Sequence, residues 1–197
     1  MTVDRLRVGL EHGHFPMADH SDNIILYSVN WRCLLPIEGI HISRRLAQKI
    51  RQGKFAVTTD RCFEKVMRGC IRPEDNWISE ELIELYCEAH RRGWAHSCEV
   101  WDGEELAGGI YGVTLGTVFS GESMFSRRTD ASKIGLHHFL AHLRSLGFTH
   151  FDSQFINDHT ESLGAYCIEE EEYLDILDKA LLSPIEWQNL EILGQSS

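Results

Sequence analysis

The sequence predicts a mixed α/β fold of the α+β kind, with antiparallel strands and flanking helices. Three observations carry this. Trp94 to Trp101, the Asp102-Gly103 dipeptide and Glu105 to Val113 read as a β-hairpin, because Asp-Gly suits a tight turn between twisted strands. Thr117 to Met124 continues it as a third strand of one meander. A helix through Leu146, a returning strand and a last helix then follow, without internal repeat or low-complexity linker.

Each element has a local reason. Residues 1–30 are weakly patterned, and HFPMADHSDN within them reads as loop. Ser43 caps a helix from Arg44 to Gln52 that Gly53 ends. Leu46 and Ile50 lie on one face of it, and Arg45 and Lys49 on another. Phe55 to Thr59 alternates as a strand, and Asp60 is expected to cap a second helix through Cys70. Glu74, Asp75 and Asn76 make a polar turn. Ser79, followed by Glu80 and Glu81, starts a helix to about Arg92, since acids in a first turn meet the positive end of the helix dipole. Asp130 or Ser132 caps the helix ending at Leu146 and Gly147; Phe148 to Phe155 returns as a strand, and Tyr173 to Leu182 closes as a helix.

The 197 residues fit one sizeable domain, or a large domain with a small appendage. With 43% hydrophobic and 25% charged residues, the chain has the balance of a soluble globular protein. No apolar run approaches the ~20 residues of a membrane span, and MTVDRLRVGLEHGH lacks the apolar core of a signal peptide. Six cysteines without a CxxC pair suggest reduced thiols in a cytosolic protein. The net charge of −11 conceals a division. From His41 to Arg72 nine Lys/Arg meet two acids, whereas from Glu161 onward nine acids meet one Lys. A local basic patch, rather than the global balance, sets phosphate affinity, although a charge run alone is usually a solvated face.

Chemistry concentrates in GGIYGVTLGTVFSGESMFSRRTDAS, Gly108 to Ser132, and in FDSQF, Phe151 to Phe155. Strand alternation would put Asp152 and Gln154 on one face. An acid and an amide on an apolar strand are costly to bury unpartnered. They form either a satisfied structural pair or the polar floor of a pocket. The structural alternative has Asp152 capping a helix around His159 to Leu163 and Gln154 bonding a loop.

These segments, with NWI (Asn76 to Ile78), WAHSCEVW (Trp94 to Trp101) and SLGA (Ser162 to Ala165), resemble leucyl/phenylalanyl-tRNA-protein transferases in order from about His14 to Leu177. The resemblance implies an acetyltransferase-like catalytic domain at 31–197 after a shortened N-terminal region, 1–30. It implies transfer of Leu or Phe from aminoacyl-tRNA to the α-amino group of proteins beginning with Lys or Arg, marking them for N-end-rule degradation. Asp152 and Gln154 match the family's Asp-x-Gln, with the Gln carbonyl accepting a hydrogen bond from the attacking amine and Asp orienting that network. The amine, with an unperturbed pKa of ~7.7–8.0, is partly neutral already, whereas an ordinary Asp at ~3.9 is a poor base. Positioning is therefore the expected role.

Glu122 is implied to face the cationic first residue of the acceptor; the alternative is an ion pair with Arg127, Arg128 or Lys133. Ile110, Phe119, Phe139 and Phe151 match the pocket for the Leu or Phe side chain, or are ordinary core. Trp77 stacks on the terminal adenosine, or packs before the Ser79 cap. Met17 stands where the family often has a tryptophan, and loss of stacking there is worth ~1–3 kcal/mol. Arg44, Arg45, Lys49 and Arg51 are the candidates for holding the acceptor stem. The partners expected are therefore Leu- or Phe-tRNA and the acceptor protein, with no membrane, no cofactor and no metal, in a cytoplasmic monomer. His12, His14, His20, Asp19 and Asp22 match no standard ligand spacing. Two other readings stand beside this one. A small-molecule N-acyltransferase of the same fold would need a glycine-bearing phosphate loop, which SRRTDASK lacks. The other is a non-catalytic tRNA- or peptide-binding relative.

Overall fold

In the computed structural model, which describes residues 1–74 and 76–194, the predicted meander lies at the centre of a large sheet. The chain opens with α1 (Val3–Glu11), a hairpin of β1 (Phe15–Ala18) and β2 (Ile24–Tyr27), and β3 (Trp31–Leu35). It continues through α2 (Arg44–Gln52), β4 (Ala56–Thr59), α3 (Phe63–Gly69) and α4 (Glu80–Arg91). The meander is β5 (Ala95–Asp102), β6 (Glu105–Leu115) and β7 (Val118–Ser126), followed by α5 (Ala131–Leu146) and β8 (His150–Asp152). A short α6 (Asp158–Ser162), β9 (Tyr166–Glu169), α7 (Glu170–Leu181) and β10 (Glu191–Ile192) complete it.

Eight strands form one sheet in the order β10-β4-β5-β6-β7-β8-β3-β9. Every neighbouring pair is antiparallel except β7 and β8, which run parallel. A parallel pair needs a crossover, and α5 supplies it. Helices cover both faces. Neighbours Ile110 and Tyr111 on β6 fall into different buried clusters, as strand alternation requires. Tyr111, Val113 and Leu115 meet residues of α1, α3, α4 and α7, while Ile110 meets Leu136, Phe139 and Leu143 of α5. The mixed α+β fold expected from the sequence is the fold observed.

The caps at Ser43 and Ser79 form as expected, accepting from Leu46 N and Leu82 N, and Gly53 and Gly147 end their helices at φ 62 and 101. Other expectations need correction. Residues 1–30 are ordered: Thr2 caps α1, which sends Val3, Leu6 and Leu10 into the core. Asp60 caps no helix, because its carboxylate is taken by Ser97 N and His96 Nδ1. Asp130, at φ 69, makes no side-chain cap either; it pairs with Lys49, and Ser132 lies inside the helix. In the polar turn expected at 74–76, Asp75 lies outside the described residues, while Asn76 Oδ1 accepts from Ile78 N.

The thiols are not all reduced. Cys33 and Cys167, directly opposed on β3 and β9, are joined, although 134 residues separate them in sequence. Cys62, Cys70, Cys87 and Cys98 are free. Among the described residues no helix is long and apolar enough to cross a membrane.

The β6–β7 turn is where backbone freedom is required. Gly116 sits at φ 59, and a Cβ on it would fall 1.8 Å from Ala180 O of α7. Gly116→Ala is expected to cost more than the ~1–2 kcal/mol of left-handed strain, read as a lowered midpoint in urea unfolding with the m-value unchanged.

Candidate active site

Asp152 ends β8 where the parallel β7–β8 pair meets antiparallel β3, with Ser120 and Leu34 as its register partners. It is fully buried, and so, at 2% exposure, is Arg32. Arg32 grips it with both prongs of the guanidinium, Nε to Oδ1 at 2.8 Å and Nη2 to Oδ2 at 2.6 Å. Nη1 of Arg32 reaches Gly13 O, and its plane lies over the Tyr173 ring. Burial alone would weaken the guanidinium's hold on its proton; Asp152 beside it holds it above its ordinary value. Ser120 Oγ and Tyr173 OH, each at 2.9 Å, donate to Oδ2, and Gln154 N donates to Oδ1 at 2.8 Å. Five donors therefore occupy the two carboxylate oxygens. The lone-pair positions of the carboxylate are thereby engaged by protein donors.

Gln154 is held from three sides. It is not on the strand: β8 stops at Asp152, and Gln154 turns through φ 59. The expected continuation to Phe155 therefore fails, yet acid and amide still meet. The backbone of Cys33 clamps this turn, accepting from Ser153 N and donating to Gln154 O. Ser120 then fixes the amide. Its only hydroxyl hydrogen goes to Asp152, so the group 2.9 Å away on Gln154 must be the donor Nε2. That leaves Oε1 with no protein partner among the described residues. Neither half of the structural alternative occurs in the form expected: Asn157 caps α6, and the Gln154 side chain bonds Ser120 of β7 rather than a loop.

Glu122 occupies a β-bulge. On β6, Tyr111 opposes Ser123 and Gly112 opposes Gly121, leaving Glu122 as the extra residue. Bulges re-aim a side chain, and this one makes no ion pair with Arg127, Arg128 or Lys133. Arg128 pairs with Glu105, and Arg127 lies over the Phe125 ring. Glu122 Oε1 is enclosed and has no hydrogen-bond partner among the described residues, and the same holds for Tyr86 OH and Tyr111 OH. Burial pushes its carboxyl up to about 8, and Asp152 adds to the effect. Arg32 opposes it, as does the Tyr86 hydroxyl, which lies close but outside hydrogen-bonding geometry.

Gln154 and Glu122 line a cavity of about 390 Å³. Of the residues singled out from sequence, Trp77, Ile110, Phe151 and Met17 line it too. Phe119 and Phe139 do not: both are fully buried behind it, edge to face at 5.0 Å. Met124, Leu35 and Phe155 supply apolar wall instead. Arg44, Arg45 and Arg51 are exposed on α2 and have no acidic partner among the described residues, whereas Lys49 pairs with Asp130. From the sequence, Arg32, Ser120 and Tyr173 are assigned no place in the site. The one available signal was Arg32 itself, a lone charge in WRCLL that had to find a buried acid.

Metal-ligand-type side chains gather at one other place among the described residues, Asp60, His90 and His96, within 4.8 Å of one another. Hydrogen bonds occupy part of this group, His96 Nδ1 to Asp60 Oδ2 and His90 Nδ1 to Ala95 O, while His96 Nε2 is buried with no partner among the described residues. His12 and Asp19, whose spacing fits no standard ligand pattern, are engaged locally. The first bonds Val8 O, and the second closes a turn onto Ser21 and Asn23.

The family model described as leucyl/phenylalanyl-tRNA protein transferase matches residues 34–178. A protein of Jannaschia sp. (strain CCS1) is 43% identical over 192 residues, covering 96% of this chain and 91% of its own. One of Ruegeria pomeroyi is 46% identical over 175 residues, 88% and 83% of the two chains. One of Rubrobacter xylanophilus is 46% identical over 182 residues, 92% and 95%. All three carry the name leucyl/phenylalanyl-tRNA–protein transferase.

Two predictions follow the geometry. Arg32→Met strands a buried carboxylate and is expected to cost about 3–5 kcal/mol in chemical unfolding. Glu122 keeps its proton in the folded chain up to about pH 8, while the unfolded chain releases it near 4.5. Its contribution to stability therefore falls as pH rises through that window, by at most about 1.4 kcal/mol per pH unit. Glu122→Gln should flatten this fall, so the variant gains on the parent between pH 5 and 8 in thermal scans; an equal offset at both ends would refute the assignment.

Proposed function

The chain belongs to the leucyl/phenylalanyl-tRNA–protein transferase family, and from that premise we propose that it moves Leu or Phe from aminoacyl-tRNA to the α-amino group of proteins beginning with Lys or Arg. Such tagging serves N-end-rule degradation in the cytoplasm. The observation that carries the proposal is the fixed amide of Gln154, whose Oε1 is left as an open acceptor in the cavity wall.

An aminoacyl ester is already activated, and the attacking amine needs alignment more than deprotonation by a strong base. Gln154 Oε1 accepts a hydrogen bond from the amine and aims its lone pair at the ester carbonyl. As the C–N bond forms, the ester oxygen leaves to the ribose, whose neighbouring hydroxyl carries the amine's proton to it. Asp152 acts through Ser120 and the Gln154 N–H, not by taking the proton.

The leucyl or phenylalanyl side chain packs against Ile110, Phe151, Met124 and Leu35, and Trp77 stacks on the terminal adenine. Phe119 and Phe139 back that wall without touching substrate. Glu122 receives the cationic side chain of the acceptor's first residue, whose arrival favours the charged carboxylate that burial disfavours. Arg44, Arg45 and Arg51 hold the acceptor stem, together with Lys49, which lies between Arg45 and Arg51 in the helix. In this reading the protein acts as a monomer.

Radiolabelled leucine from leucyl-tRNA should enter a peptide beginning with Arg and not its Ala counterpart. RNase pretreatment should abolish the signal, and Gln154→Ala should lower it by roughly a hundredfold. Bound tRNA without transfer to any peptide would instead support the non-catalytic reading.

A further inference from the structure

A second cavity, about 360 Å³, opens beside the first, and His159 lines both. Its walls include Arg127, Arg128 and Thr129 from the segment between β7 and α5, and Lys133 from the first turn of α5. The charges there are unevenly satisfied. Arg128 is engaged by Glu105 at 2.7 Å and Asp102 at 3.7 Å. Asp130, the acid in the wall, is neutralised by Lys49 of α2 at 2.5 Å. Arg127 and Lys133 have no acidic partner among the described residues; Arg127 rests only on the Phe125 ring, 5.2 Å from its centroid. Arg72, a lining residue of the first cavity, likewise pairs with no acid among the described residues. Burial foremost, then Lys133 and Arg72, make the half-buried His159 ring harder to protonate, so cations flank the wall common to both cavities. Positive charge without an acidic partner among the described residues, on Arg72, Arg127 and Lys133, thus borders the two cavities that meet at His159, and the Lys49–Asp130 pair joins this wall to α2.

We infer that the second cavity is a phosphodiester subsite, in which Arg127 and Lys133 hold the single-stranded 3′ end just upstream of the terminal nucleoside, leaving the duplex stem to α2. This rests on the aminoacyl-tRNA reading above. A nucleoside in the first cavity must send its upstream phosphates past the rim, and the rim shared through His159 is cationic. Guanidinium and ammonium groups without acidic partners are free to form charge-assisted hydrogen bonds to phosphate oxygens. The contacts read backbone rather than base, so they serve the common 3′ strand of different tRNAs alike.

The test compares two donors, the leucyl ester of adenosine, which has no phosphate, and the leucyl ester of a 5′-phosphorylated CCA trinucleotide. For Arg127→Gln/Lys133→Gln, with folding checked by thermal melting, kcat/KM for the trinucleotide donor should fall roughly tenfold or more while the adenosine donor is unaffected. Its salt slope should become shallower by about 0.7 per lost phosphate contact, and Lys133→Arg should restore the rate. Equal loss on both donors, or none on either, overturns the subsite. So does inorganic phosphate displacing the trinucleotide as readily as a second trinucleotide does, which would make the cavity a general anion site. If the parent protein transfers leucine from neither donor, the transferase reading fails separately. Binding of the unacylated trinucleotide, tighter to the parent than to the double variant, then still decides the subsite.

Discussion

The buried pair of Arg32 and Asp152 is the constraint around which the site is organised. An aspartate with no solvent exposure is tolerable only with a cation and a full set of donors. Arg32 supplies the cation, and Ser120, Tyr173 and the Gln154 backbone fill the remaining acceptor positions. These groups come from β3, β7, α7 and the segment after β8, so one carboxylate ties together four parts of the chain. An ion pair of this kind is weak support for stability, since an apolar replacement is often as stable. What it provides here is geometry, because the amide that would meet substrate hangs from it.

The sheet explains why these groups meet. The parallel pairing of β7 and β8 puts Ser120 beside Asp152, and β3 completes the site from the other side. Two irregularities then open the cavity: the bulge that frees Glu122 from pairing and the left-handed turn at Gln154. Regular strands would have sent these side chains to faces fixed by alternation. Cys33 belongs to the same construction, since its backbone clamps the Ser153–Gln154 turn and its sulfur joins β3 to β9.

Much of this was legible in the chain. Ser43, Ser79 and Gly53 announced helix ends because capping is local chemistry, and Asp102-Gly103 announced the hairpin for the same reason. The active-site candidates came from motifs, and Trp77, Ile110, Glu122, Phe151 and Gln154 do share one cavity. What was hidden is nonlocal. Arg32 lies 120 residues from Asp152, and Cys33 lies 134 from Cys167, so no spacing rule joins them. Asp60 and Asp130 carry the right side chain for a cap, but His96 and Lys49 compete for them. Phe119 and Phe139 have pocket-like chemistry, yet only the packing of α5 on the sheet decides that they lie behind the wall.

The central claim is that Asp152 acts through Ser120 to hold Gln154, rather than as a base. Ser120→Ala removes that link while leaving Arg32, Asp152 and Gln154 in the chain. Steady-state transfer from leucyl-tRNA by this variant, with its melting temperature checked, is the most direct measurement. The account predicts a kcat lowered by as much as roughly a hundredfold, as for a misplaced reacting group, with KM for leucyl-tRNA nearly unchanged. A folded Ser120→Ala protein turning over at the parental rate would contradict it.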